Sequence, residues 1–235
     1  MNKPKFFEIF LINIYDMKYL ERFNENSNND ELKRSGRLLS QKQRNNFEIF
    51  EADAKYPVII FTDIVNSSKL WQKNSKLMED NLKNHFKLID SISKKHNGWI
   101  VKSIGDAFML YFEPGEKALM NAILFTNELV LNEPVYKLRI GLANGSVSYD
   151  TYEIQKFKLK DFFGNVVNAA SRMESIISPI NGFGLSLHTE DLNEDEINLL
   201  DELNLKYRKM NEEDITPTKL KGVDTKIVYQ IGSIL

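Results

Sequence analysis

No cysteine occurs in the 235 residues, which excludes a disulfide scaffold, a thiolate metal site and a cysteine nucleophile. An excess of positive charge is missing too. Thirty-one Lys and Arg face 33 Asp and Glu, a net charge of -2, so no global basic field advertises nucleic-acid binding, and an anionic ligand must be held by a local site. No run approaches the roughly 20 apolar residues that a membrane span needs. The apolar stretch from Lys3 to Tyr15 is interrupted by Glu8 and Asn13 and lacks a small-residue cleavage site, so it does not read as a signal peptide, and a soluble, cytoplasmic chain is expected. Histidine is scarce: His85, His96 and His188 are the three, and none needs a catalytic role. What is present is 42% apolar and 11% aromatic residues, enough for one substantial core plus a modest extension.

Residues 24 to 36 are polar, aperiodic and rich in turn formers, which marks a linker. Residues 1 to 50 are therefore expected to form an amino-terminal extension of short helices and linker, with 37 to 54 an amphipathic helix leading into a domain spanning 51 to 235. From Val58 the period alternates. Val58 to Thr62 reads as a buried strand, and Leu70 to Lys95 as a helix ending at His96-Asn97-Gly98 with glycine as its stop. Trp99 to Ile104 and Ala107 to Phe112 form a hairpin turning at Gly105-Asp106. A helix follows Pro114, Leu138 to Ala143 is a strand paired with 145 to 152, and Gly164 to Ile177 is helical. Strands near 183–187, 203–207 and 227–231 and a helical patch at 193–201 complete the chain. The order is β-α-β-β-α-β. The predicted fold is thus α+β: a ferredoxin-like βαββαβ core, an antiparallel sheet with helices on one face.

Two aspartates close strand-like runs: Asp63 after Val58-Ile-Ile-Phe-Thr62, and Asp106 after Ile100-Val-Lys-Ser-Ile-Gly105. Carboxylates at the ends of buried strands demand a partner, and a shared divalent cation is one, with Mg²⁺ or Mn²⁺ suited to hard oxygen ligands. Taken singly, Asp63 also reads as a helix N-cap and Asp106 as an ordinary turn residue. The turn after Asp63, Ile64 to Ser68, offers amides to phosphate and the Ile64 carbonyl to a metal. Asn168 and Arg172 stand at i,i+4 on one helix face, where amide and guanidinium can meet a ribose and a charged phosphorus centre, or simply water. Lys102 in its strand, Asp161 before the third helix and Lys221 before the last strand each have an equally plain surface reading.

Together, Phe61-Thr-Asp63-Ile-Val-Asn-Ser-Ser68, Lys102-Ser-Ile-Gly-Asp106-Ala-Phe-Met109 and Asp161-Phe-Phe-Gly-Asn-Val-Val-Asn168-Ala-Ala-Ser-Arg172 resemble, in order, the signature segments of class III nucleotidyl cyclases, from about residue 56 to the carboxyl terminus. The resemblance implies that Asp63 and Asp106, with the Ile64 main chain, bind two divalent cations, Mn²⁺ or Mg²⁺. It implies that Asn168 orients the ribose, that Arg172 stabilises the transition state, that Lys221 holds the terminal phosphates, and that Lys102 and Asp161 read the base. In that family, facing subunits share the groups, so a homodimer with two sites is implied. The reaction would be cyclisation of a nucleoside triphosphate to a 3′,5′-cyclic nucleotide and pyrophosphate.

The base stays open between two readings. Lys102 and Asp161 look like the pair that selects adenine, as in adenylate cyclases, and they also suit cytosine, while uracil would need another contact such as Tyr56. The outline of the chain is similar to the stand-alone pyrimidine cyclases of bacterial antiphage defence, whose cUMP or cCMP is read by a separate effector, and the favoured expectation is such a pyrimidine cyclase. An inactive cyclase-homology interaction module would usually lack a metal aspartate or the arginine, and both are present. Neither nucleic acid nor membrane is expected as a partner.

Overall fold

Val58-Ile-Ile-Phe-Thr-Asp-Ile64 is apolar on both of its alternating faces, so a strand built from it must be covered on both sides. It is. The computed structural model describes residues 48–49, 56–154, 157–211, 214–215 and 227–233, with backbone alone at 48–49, 151–154 and 157–160. In chain order the elements are β1 (Glu48–Ile49), β2 (Val58–Ile64), α1 (Ser67–Lys73), α2 (Ser75–Lys95), β3 (Gly98–Ile104), β4 (Ala107–Phe112), α3 (Ala118–Asn132), β5 (Leu138–Asn144), β6 (Ser148–Ile154) and β7 (Phe157–Phe163). Then come α4 (Asn165–Arg172), a π-helical turn (Met173–Ile177), β8 (Gly182–Leu187), α5 (Glu194–Glu202), β9 (Lys206–Lys209) and β10 (Ile227–Gly232).

The main sheet has the order β3-β4-β2-β5-β8-β10-β9. Its first four strands, joined through α2 and α3, are all antiparallel to their neighbours, and this is the split βαββαβ pattern expected. Two expectations change. The sheet is mixed, because β8 runs parallel to β5, and the helices lie on both faces. Val58, Ile60, Phe108, Leu110, Leu138 and Ile140 pack with α2 and α3. On the other face Ile59, Met109, Tyr111 and Ala143 pack against Val166, Ala169 and Ala170 of α4.

Segment 148–154 does not pair with β5. It joins β7 and the short β1 in a separate three-stranded sheet, and β7 had no counterpart in the sequence reading. Glu48–Ile49, placed by periodicity in an amphipathic helix, is this sheet's β1 strand. The long helix divides at Asn74, whose side chain caps α2 by accepting from Leu77 N–H at 3.0 Å. At its other end the left-handed residue is Asn97, φ 59°. Gly98 serves another purpose: a Cβ there would lie 2.6 Å from the Phe112 ring. The expected helix over 164–177 is α-helical only to Arg172 and then widens into the π turn.

His85, buried in α2, meets Glu133 with Nδ1 2.5 Å from Oε2. The same carboxylate accepts N–H bonds from Val135 and Tyr136, which ties the α3–β5 connection to α2. His96 meets Glu128 of α3 at 2.7 Å, a tie between helices. His188 packs edge-on against Tyr56.

The α4 side is held close by a glycine. A Cβ on Gly141 of β5 would lie 2.1 Å from both the Ala170 carbonyl and the Glu174 amide, so helix backbone rests directly on strand backbone. Gly141→Ala must lift α4 off the sheet. We expect a stability loss of about 1–3 kcal/mol or more, the range for an overpacked core, read as a fall in the urea midpoint without a change in slope.

Candidate functional site

The β2–β5 pairing sets Asp63 opposite Arg139. Both point to the α4 face, and Arg139 Nη2 donates to Asp63 Oδ2 at 2.6 Å. Asp63 is therefore a strand residue in an ion pair and not a helix cap; the cap position of α1 belongs to Asn66, which uses a left-handed backbone and no side-chain bond. The other edge of the guanidinium faces Glu174, with Nε 3.0 Å from Oε1. Those two atoms are poorly aligned for a hydrogen bond, so the contact is an ion pair of charge more than of direction. Burial pushes Glu174 up to about 7; Arg139 opposes this and Asp63 adds to it.

Asp106 follows Gly105, whose φ of 67° makes the tight β3–β4 turn. Since Thr62 pairs with Phe108, Asp106 lies at the same end of the sheet as Asp63, on the neighbouring strand pair. Its Oδ2 is buried without a hydrogen-bond partner, as is Thr62 Oγ1 beside Asp63. Burial first, and then the charges of Glu133 and Asp106, raise the Tyr136 phenol.

An unpartnered buried carboxylate oxygen, a second carboxylate and the adjacent Ile64 carbonyl are hard donors that fit Mg²⁺ or Mn²⁺. Among the described residues no group of three or more His, Cys, Asp or Glu could hold a metal ion.

Lys102 reads as solvent-facing if β3 alternates without fault. A register shift between Ile100 and Lys102 sets Lys102 opposite Met109 instead of Phe108, which moves it to the α4 face. There Lys102 Nζ donates to Asp161 Oδ2 of β7 at 2.5 Å. Asp161 is thus a strand residue in an ion pair and not a plain surface charge, and its Oδ1 also accepts the Phe162 N–H at 2.9 Å. The Phe162 ring stacks on Tyr111, centroids 4.6 Å apart, so the pair stands beside an aromatic wall.

Asn168 and Arg172 share the exposed side of α4, opposite buried Val166, Ala169 and Ala170. Neither bonds Asp63 or Asp106. Tyr56 precedes β2, at the opposite end from Asp63, and packs on His188 at 5.2 Å instead of on Lys102 or Asp161. Lys221 lies outside the described residues, as do 1–47 of the proposed extension.

Arg139 and Glu174 were not singled out from sequence. The signal for Arg139 was a lone charge inside Leu138-Arg-Ile-Gly-Leu-Ala143; the Glu174 position depends on the π turn, which periodicity does not reveal. Because the Glu174 carboxyl is raised from 4.5 to about 7, the folded state binds its proton more tightly than the unfolded chain. Its contribution to stability is present below pH 4.5 and is lost as pH rises to about 7. In Glu174→Gln, the difference in unfolding free energy between pH 5 and pH 7.5 should shift in favour of the higher pH relative to wild type, measured by urea titration at both values.

Comparison with known proteins places this geometry. The sequence matches the family described as the adenylate and guanylate cyclase catalytic domain over residues 53–231. An adenylate cyclase of Schizosaccharomyces pombe is 27% identical across 74% of this chain, and one of Podospora anserina 29% identical across 50%. The chain spans only 12% and 6% of those relatives' lengths. Among solved structures, the catalytic core of a rhodopsin-guanylyl cyclase with converted specificity, bound to ATPαS, superposes with a TM-score of 0.59 at 21% identity, covering 76% of this chain and 96% of that one. The guanylate cyclase domain of Catenaria anguillulae bound to GTP gives a TM-score of 0.59 at 19% identity, covering 77% and 96%. These structural likenesses agree on the fold, and the family match covers most of the sheet and both helical layers: the chain belongs to the adenylate and guanylate cyclase catalytic-domain family.

Proposed function

We propose that this chain is a nucleotidyl cyclase that converts a nucleoside triphosphate into a 3′,5′-cyclic nucleotide and pyrophosphate. The observation that carries the reading is the buried, unpartnered Asp106 oxygen at the same sheet end as Asp63. Asp63, Asp106 and the Ile64 carbonyl would hold two divalent cations, Mg²⁺ or Mn²⁺, which when bound supply Lewis-acid activation of the ribose 3′-hydroxyl and neutralise the phosphates. The 3′-oxygen then attacks the α-phosphorus in line, its proton passes to solvent, and pyrophosphate leaves.

Asn168 orients the ribose and Arg172 meets the charge that grows on the α-phosphate. Both stand on the outer side of α4, which supports a site completed across a homodimer, where α4 of one protomer faces the Asp63 of its partner. Lys221 would hold the terminal phosphates.

Lys102 and Asp161 read the base. A donor beside an acceptor matches a ring nitrogen next to an exocyclic amine, which cytosine and adenine both present. We therefore place CTP, the pyrimidine that fits, and ATP as the candidate substrates. UTP would need a further contact, from water or from a group such as Tyr56, whose ring packs on His188. A cyclic pyrimidine product would act as a second messenger for a separate effector, as in antiviral signalling.

Incubation of the purified protein with ATP, GTP, CTP and UTP separately, with Mn²⁺ present, should yield a cyclic product from CTP or ATP, identified by mass. Asp63→Ala or Asp106→Ala should abolish turnover with the fold intact; undiminished activity in either removes the cation assignment. Arg172→Ala should lower kcat far more than it raises KM. Mixing Asp63→Ala with Arg172→Ala protomers should recover part of the activity through one intact shared site, and no recovery would count against the homodimer.

A further inference from the structure

Arg139 sits between two acids with one role apiece. Its Nη2 holds Asp63 Oδ2 at 2.6 Å, and its Nε faces Glu174 Oε1 at 3.0 Å. A divalent cation on Asp63 and the guanidinium compete for the same carboxylate oxygens, because both are strong electrophilic partners of the same lone pairs. The contact with Glu174 is close but misaligned, so a small rotation of the guanidinium away from Asp63 can improve it. The π turn that begins at Met173 and the direct seat of α4 on Gly141 fix Glu174 against β5. With the Glu174 backbone seated there, the guanidinium can approach its carboxylate without any movement of α4.

Resting on the two-cation reading above, we propose that Glu174 is a positioning residue for the metal end of the site: it is the second anchor to which Arg139 withdraws when Asp63 takes up a cation. Without that anchor the full guanidinium charge rests on Asp63 and locks it. With it, Arg139 guards Asp63 in the cation-free protein and gives way on loading. The three groups together carry one net negative charge when both acids are ionised, which favours arrival of a cation; removing the charge of Glu174 takes that away as well.

The test uses the full-length protein without nucleotide at pH 8, where Glu174 is ionised, and Mn²⁺ as the probe, followed by loss of the free-ion signal in electron paramagnetic resonance. Glu174→Gln, nearly isosteric, should weaken Mn²⁺ binding by about tenfold, within the range for residues in one salt-bridge network. The double variant Arg139→Met with Glu174→Gln removes guard and anchor together and should bind Mn²⁺ more tightly than wild type, a recovery that a purely structural role for Glu174 would not produce. Unchanged binding in Glu174→Gln, or a double variant no tighter than wild type, overturns the proposal. The double variant decides alone if the single one does not fold, since it replaces the charged pair with a neutral one. Wild-type Mn²⁺ binding that Asp63→Asn leaves untouched would overturn the cation assignment itself, and this inference with it.

Discussion

A guanidinium held between two carboxylates on one face of β5 joins the parts of this domain that chemistry needs. Arg139 reaches Asp63 on β2 and Glu174 on the π turn after α4, so sheet and helix are linked through charge at the point where both are otherwise apolar. In water such a triad would be worth little; half-buried and packed beneath α4, each member is costly to strand without the others. The seat of α4 on Gly141 makes the arrangement possible. A side chain there would hold the π turn away from the strand and leave Arg139 with one acid in place of two.

Local order carried much of the fold into the sequence. The hairpin at Gly105-Asp106, the strand from Val58 and the helix ending near His96 follow from alternation, turn chemistry and capping, which are short-range properties. The strand from Ala107 to Phe112 is of the same kind, and its Phe108 and Phe112 share one parity and are buried with α2 and α3. What escaped depends on pairing at a distance. Segment 148–154 has the alternation of a strand but nothing in it says that its partner is β7 and not β5. The second helical face was implied by Ile59 and Phe61, apolar where a one-sided sheet would be polar, yet only the packing of α4 makes that explicit.

The candidate site shows the same division. Asp63 and Asp106 stand out because acids at strand ends are unusual, whereas Lys102 looked like an ordinary surface lysine until one register shift turned it to the other face. A single inserted residue is invisible to a period-2 reading and decides which neighbours a side chain meets. Arg139 was visible as a lone charge in a buried strand, but its meaning came from its cross-strand partner. Glu174 needed the widened helical turn, a backbone departure that α-helical periodicity does not encode.

The acid facing Lys102 is carried by β7, in a three-stranded sheet apart from the seven-stranded one that bears Asp63. In the proposed site, the two base-reading groups thus ride on separate frameworks, Lys102 on the sheet that bears Asp63, and Asp161 on β7. A lineage can remodel one hairpin, β6 with β7, and redirect which nucleotide is accepted while the scaffold beneath the reacting phosphorus stays as it was.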